Sequence, residues 1–193
     1  MAPQLLTVVG SKGGVGKTTI AAALLLGARR AGIEAIGLDL DAWQRSLADW
    51  AAERGRAELA PAVRVVSAEP AAWRRSVPGV ELVVVDTPPA RDPDTRAALE
   101  GLVAASDLVL VPARPALVDL RALVPIPSSA VWVLNAVGRE SGELTDFRAW
   151  VRGAGEVCPI EVPERKAIQR ELGTGEGPDL PELWAWAVRR VGL

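Results

Sequence analysis

Short runs of Val, Ile and Leu alternate with Ala-, Leu- and Arg-rich stretches in which apolar residues recur every three to four positions, and these two periods divide the chain. The runs predict strands at 5–9, 35–40, 63–66, 81–85, 108–111, 130–134 and 157–162. Helical spacing predicts helices at 17–31, 44–54, 70–76, 94–105, 117–123, 143–153, 165–172 and 181–191. Strands that are nearly continuous in aliphatics imply burial on both faces, and their alternation with helices implies parallel pairing. The expected fold is α/β: a three-layer sandwich around a mostly parallel twisted sheet of about seven or eight strands. Segments bearing Pro and Gly at 88–93, 112–115, 125–129 and 173–181 fall between elements and are too short for interdomain linkers, so residues 1–193 are expected to form a single domain.

The first strand runs directly into Ser11-Lys12-Gly13-Gly14-Val15-Gly16-Lys17-Thr18-Thr19 and then an Ala/Leu-rich helix. Strand, glycine turn and helix start are the setting of a phosphate loop. Glycines let backbone N–H groups approach phosphate oxygens, and the helix dipole adds a favourable field. Lys17 is placed to reach the β and γ phosphates, and Thr18 to offer a hydroxyl to Mg²⁺. The usual first glycine of such loops is replaced by Ser11, and a second lysine, Lys12, precedes the glycines.

Two later strands end in acids. Asp39-Leu40-Asp41 closes the second, and Leu82-Val83-Val84-Val85-Asp86-Thr87-Pro88-Pro89 has the Walker-B form of four aliphatics and an acid at the strand tip. Ligands of open α/β sheets sit beyond the carboxyl ends of strands, which is where these groups fall. Asp86 would bind Mg²⁺ through water and accept from Thr18. Asp39 could help order the metal's water shell, and Asp41 could hold the attacking water. Asp41 equally suits a cap for the following helix.

With these blocks in this order, the chain resembles the ParA/MinD family of deviant Walker-A ATPases over most of its length, within the P-loop NTPase fold. The resemblance implies ATP and Mg²⁺ as cofactors, with Lys12, Gly13, Gly14, Val15, Gly16, Lys17, Thr18 and Thr19 around the phosphates. It implies that Lys12 reaches the partner's nucleotide in an ATP-dependent homodimer, carrying charge as an arginine finger does. Asp41 takes the water-positioning role that the family gives to the second acid of its block. The partition members usually continue with Pro-Gln, whereas Ala42-Trp43 here is closer to the MipZ branch. Asn135 stands where the family holds the adenine edge, and Gly138 replaces the acid of the GTPase Asn-Lys-x-Asp signature, so ATP is favoured over GTP; Asn135 could also simply close its strand into a turn.

Composition narrows the chemistry further. The chain has no His, no Tyr and one Cys, which removes imidazole general bases, Cys/His zinc sites and internal disulfides. Any metal should be hard and oxygen-bound. Only three of the 22 cationic residues are Lys, and two of them, Lys12 and Lys17, lie in the phosphate loop. Net charge is −2 and no apolar run approaches the ~18 residues of a bilayer span, so a cytoplasmic location is expected.

The resemblance also implies nonspecific DNA binding by the ATP dimer, a nucleoid location, and an adaptor protein of the ParB kind that stimulates slow hydrolysis. Arg165, Lys166 and Arg170 are the first candidates for DNA, and Arg148 and Arg152 the second; paired arginines on helices also suit a solvated face. The last helix can be read as a basic amphipathic membrane anchor, but its stripe of Leu183, Trp184, Ala187, Val188 and Val191 suits packing on the sheet, and a membrane partner is not expected. The leading expectation is an ATPase for plasmid or chromosome partition. The alternative is a MinD- or MipZ-like regulator that positions division machinery or a protein cargo.

Overall fold

A computed structural model describes residues 2–10, 12–70, 80–89, 92–115, 127–164 and 171–193. The helix predicted at 117–123, most of those at 70–76 and 165–172, and Ser11, Arg165, Lys166 and Arg170 lie outside the described residues. The elements run β1 (Gln4–Val8), α1 (Lys17–Arg30), β2 (Ala35–Asp39), α2 (Ser46–Arg56), β3 (Val65–Ser67), β4 (Leu82–Asp86), α3 (Pro93–Ala104), β5 (Leu108–Ala113), β6 (Val131–Val137), α4 (Gly142–Ala154), β7 (Glu156–Val157), β8 (Val162–Pro163) and α5 (Pro181–Val191). The strand predicted at 157–162 is instead two short ones: β7 and β8 each pair with β6, at different places along it.

The sheet has eight strands in the order β3-β2-β4-β1-β5-β6-β7, with β8 also on β6, and every recorded pairing is parallel. Residues two apart in a strand face the same way, so each strand feeds two cores. Leu6, Val8, Leu82, Val84, Leu110 and Val133 pack under α1, α2 and α5, whereas Leu5, Ile36, Leu38, Val83 and Val85 pack on Leu99 and Leu102 of α3. Val109, Val111 and Leu134 meet Leu144, Phe147 and Val151 of α4. The chain leaves β1 towards β2, then crosses back past β1 to reach β5. A crevice therefore opens over the carboxyl end of β1, at the point where such folds bind ligands.

The apolar stripe of α5 is covered within the fold. Leu183 and Ala187 are fully buried, and Trp184 lies so close to α1 that a Cβ at Gly27 would run into its ring. This supports packing over a membrane anchor, and no described helix is long and apolar enough to cross a bilayer. Arg54 of α2 is 3% exposed and donates to the backbone carbonyls of Ala60, Pro61, Gly175 and Glu176, fastening α2 to the segment that leads into α5. Trp50 and Trp132 are buried, while Trp150 is 36% exposed, stacked on Phe147 and edge-on to Trp132.

Candidate functional site

Parallel register brings the predicted acids to one end of the sheet. Val8 of β1 lies opposite Asp86 of β4, and Asp86 lies opposite Asp39 of β2. The phosphate loop follows β1 directly, so Thr18 in the first turn of α1 donates its hydroxyl to Asp86 Oδ2 at 2.6 Å. Asp86 is 2% exposed, and its other oxygen, Oδ1, is buried without a hydrogen-bond partner among the described residues. Burial pushes its carboxyl up to about 7, against the opposing pull of the Thr18 hydroxyl. A buried carboxylate oxygen left over beside a threonine hydroxyl is a hard oxygen donor set of the kind Mg²⁺ prefers. Thr87 continues from Asp86 and donates to the Val8 carbonyl at 2.9 Å, tying the end of β4 to β1.

The loop itself is built for an anion. Gly14 and Gly16 have φ of 77° and 102°, the left-handed region that favours glycine, and α1 has no side-chain N-cap. Among the described residues, none of the backbone N–H groups of Gly13, Gly14, Val15 and Gly16 donates a hydrogen bond. Lys17 is 8% exposed and folds its ammonium back over the loop, donating to the Lys12 carbonyl at 3.1 Å. Thr19 follows Thr18 in the first turn of α1. Asp41, Asp86, Lys17, Thr18, Arg114 and Asn135 all line one open cleft of about 830 Å³.

Asp39 and Asp41 divide their work differently from the sequence expectation. Asp39 is fully buried, and both its oxygens face backbone: Oδ1 accepts from the Asp41 N–H at 3.0 Å, and Oδ2 from Leu47 and Ala48 at 3.0 and 2.9 Å. Burial raises its carboxyl above the ordinary range, against those three donors. It is the acid that caps α2, the role the sequence offered to Asp41. Asp41 sits on the cleft wall and accepts from the Gln44 N–H at 3.0 Å, shaping the loop that presents Trp43, which is 97% exposed.

Asn135, on the cleft wall, makes a contact within the phosphate loop. It is 6% exposed, and its amide donates to the Val15 carbonyl at 2.6 Å, so it holds the phosphate loop. Arg114, unremarked in the sequence, donates to the neighbouring Gly14 carbonyl at 3.0 Å. Its signal was available: a cation just past β5, the strand beside β1. Of the DNA candidates among the described residues, Arg152 is exposed, whereas Arg148 is clamped between two carboxylates, Glu140 at 2.7 Å and Glu161 at 2.7 Å, which raise its pKa further. A guanidinium so engaged has little left for phosphate.

Residues 6–178 match the family described as the CobQ/CobB/MinD/ParA nucleotide binding domain. Maintenance of carboxysome distribution protein A from Gloeobacter kilaueensis is 41% identical over 130 residues, 67% of this chain and 57% of that protein, so the match spans little more than half of the relative. Among solved structures, the ATP complex of a McdA variant from Cyanothece aligns with a TM-score of 0.69 at 16% identity, covering 99% of this chain and 97% of that one. A plasmid partition protein from Borrelia burgdorferi bound to AMPPNP aligns at 0.68 and 14% identity, covering 98% and 97%.

Proposed function

The chain belongs to the CobQ/CobB/MinD/ParA nucleotide-binding family, and from that premise we propose that it is an ATP-dependent dimerising ATPase that positions a protein cargo. The observation that carries the nucleotide reading is the pairing of the Gly13, Gly14, Val15 and Gly16 N–H groups, which donate to no described residue, with a buried Asp86 oxygen beside Thr18 that has no hydrogen-bond partner among the described residues. Asp86 and Thr18 would hold Mg²⁺, which supplies charge neutralisation at the β and γ phosphates when bound. Lys17 meets the same phosphates from the loop, and Asp41, on the cleft wall, orients the attacking water. The absence of His is no obstacle, because a carboxylate that orients water and cations that take up developing charge suffice for slow hydrolysis. Lys12 completes the site of a second copy across the dimer, and Asp39 acts one step back, by fixing the loop that carries Asp41.

Of the two cargo readings, protein positioning is supported by the 41% identity to a carboxysome distribution protein. DNA partition keeps support from the likeness in fold to a plasmid partition protein. In both, the ATP dimer rides on a matrix that an adaptor releases, and nonspecific DNA is the proposed matrix. Co-sedimentation with plasmid or with anionic liposomes, each with ATP, tests this. The reading expects retention on plasmid that weakens steeply with salt; retention on liposomes alone would refute it. Fluorescent tagging in the native cell separates the cargoes: foci that follow a protein assembly support positioning, and foci that follow replicating plasmids or chromosome origins support partition.

A further inference from the structure

Two side chains from neighbouring strands hold consecutive carbonyls of the phosphate loop: Arg114, just past β5, takes Gly14 at 3.0 Å, and Asn135, in β6, takes Val15 at 2.6 Å. A trans peptide points its N–H opposite its C=O. Pinning the Gly14 and Val15 carbonyls towards β5 and β6 therefore turns the N–H groups of Val15 and Gly16 the other way, and neither donates to any described residue. The fit around Asn135 is close: a Cβ added at Gly16 would collide with its amide nitrogen. Arg114 is half-buried, lines the cleft, and has no carboxylate partner among the described residues.

We infer that Arg114 and Asn135 are positioning residues for phosphate binding: they lock two successive peptide units of the loop so that their N–H groups face the bound phosphates. This rests on the nucleotide-binding reading above and assigns Asn135 to the loop in place of the adenine edge. Arg114 is the more informative member because it is outside the core. A lysine there can still donate once to Gly14, whereas a methionine keeps the bulk and loses the donor.

The test measures binding of ATP, ADP and inorganic tripolyphosphate, each with Mg²⁺, to the full chain and to Arg114→Met, Arg114→Lys and Asn135→Asp, with thermal melting of each. Loss of one loop hydrogen bond is expected to weaken all three ligands by a common factor of roughly five to ten in Arg114→Met, with partial rescue in Arg114→Lys and an unchanged melting temperature. Asn135→Asp sets an acceptor against an acceptor, and its loss should be larger but again equal for ATP and tripolyphosphate. If either variant loses ATP while tripolyphosphate binds as before, the side chain reads base or ribose and the inference falls. It falls equally if Arg114→Met binds all three like the parent chain. Failure of the parent chain to bind any of them would overturn the nucleotide reading itself.

Discussion

Replacing Asp39 with Ala separates a capping acid from a metal-ordering one. The change removes the acceptor from the N–H groups of Asp41, Leu47 and Ala48. The Leu47 donor is buried, and an orphaned buried donor costs about 1–3 kcal/mol. The other two are partly buried, where water can take over and each loss is nearer ~0.5–1 kcal/mol. Against this, burial already disfavours the Asp39 carboxylate, so removing it offsets part of the loss. The three losses together come to roughly 2–5 kcal/mol, and with that offset the net expectation lies in the lower part of this range, a melting temperature lower by about 5–15 °C for a chain of this size. Asp39→Asn keeps acceptors but turns an NH₂ towards one donor, and should fall between the two. Thermal and urea denaturation followed by tryptophan fluorescence measure the stability, and nucleotide binding over a Mg²⁺ series below the melting temperature measures the metal dependence. The account predicts a large stability loss with an almost unchanged Mg²⁺ midpoint for nucleotide binding. An Ala variant as stable as the parent, with Mg²⁺ dependence shifted a hundredfold, would refute the capping argument.

Gly16→Ala places a Cβ on the Asn135 amide at a φ of 102°, so it should abolish ATP binding by calorimetry while circular dichroism still reports a folded chain. Asp86 holds its proton up to about 7 when folded but releases it near 3.8 when unfolded, so between those values the folded state binds more protons and stability falls as pH rises. Urea denaturation without Mg²⁺ at pH 4.5 to 7.5 should show that decline, and Asp86→Asn should flatten it. Because the metal takes the carboxylate and not the acid, Mg²⁺-dependent nucleotide binding should strengthen through pH 7 in the parent chain, and a flat profile would contradict the assignment. Arg148→Ala should leave DNA retention unchanged, because its charge is already held by Glu140 and Glu161, whereas Arg152→Ala, at an exposed position, should weaken it modestly and reduce its salt dependence in plasmid co-sedimentation.

Much of this architecture is legible in the residues because local pattern and tertiary demand agree. The aliphatic runs at 82–85 and 108–111 are buried on both faces, and α5 begins at Pro181, which presets the first helical turn. The predicted strand at 157–162 failed because Cys158 and Pro159 break a short edge segment into two pieces that meet β6 separately, and periodicity cannot see pairing. Within the site, the loop and Asp86 were legible because each carries its chemistry in a contiguous string. The roles of Asp39 and Asp41 were not, since residues two apart at a strand end differ only in where the chain turns next, and it turns so that α2 begins over Asp39. Arg114 and Asn135 act across neighbouring strands, through contacts 100 and 120 residues long in sequence, so the sequence could mark their positions at strand ends but not the loop carbonyls they hold.

The mass of the particle in solution with ATP and Mg²⁺, measured for the parent chain, Asp41→Ala and Lys12→Ala, tests the central claim of an ATP-driven dimer most directly. The account predicts a stable dimer of Asp41→Ala, which binds but does not hydrolyse ATP, and a monomer of Lys12→Ala at every ATP concentration. Monomers in both, with ATP bound, would contradict it.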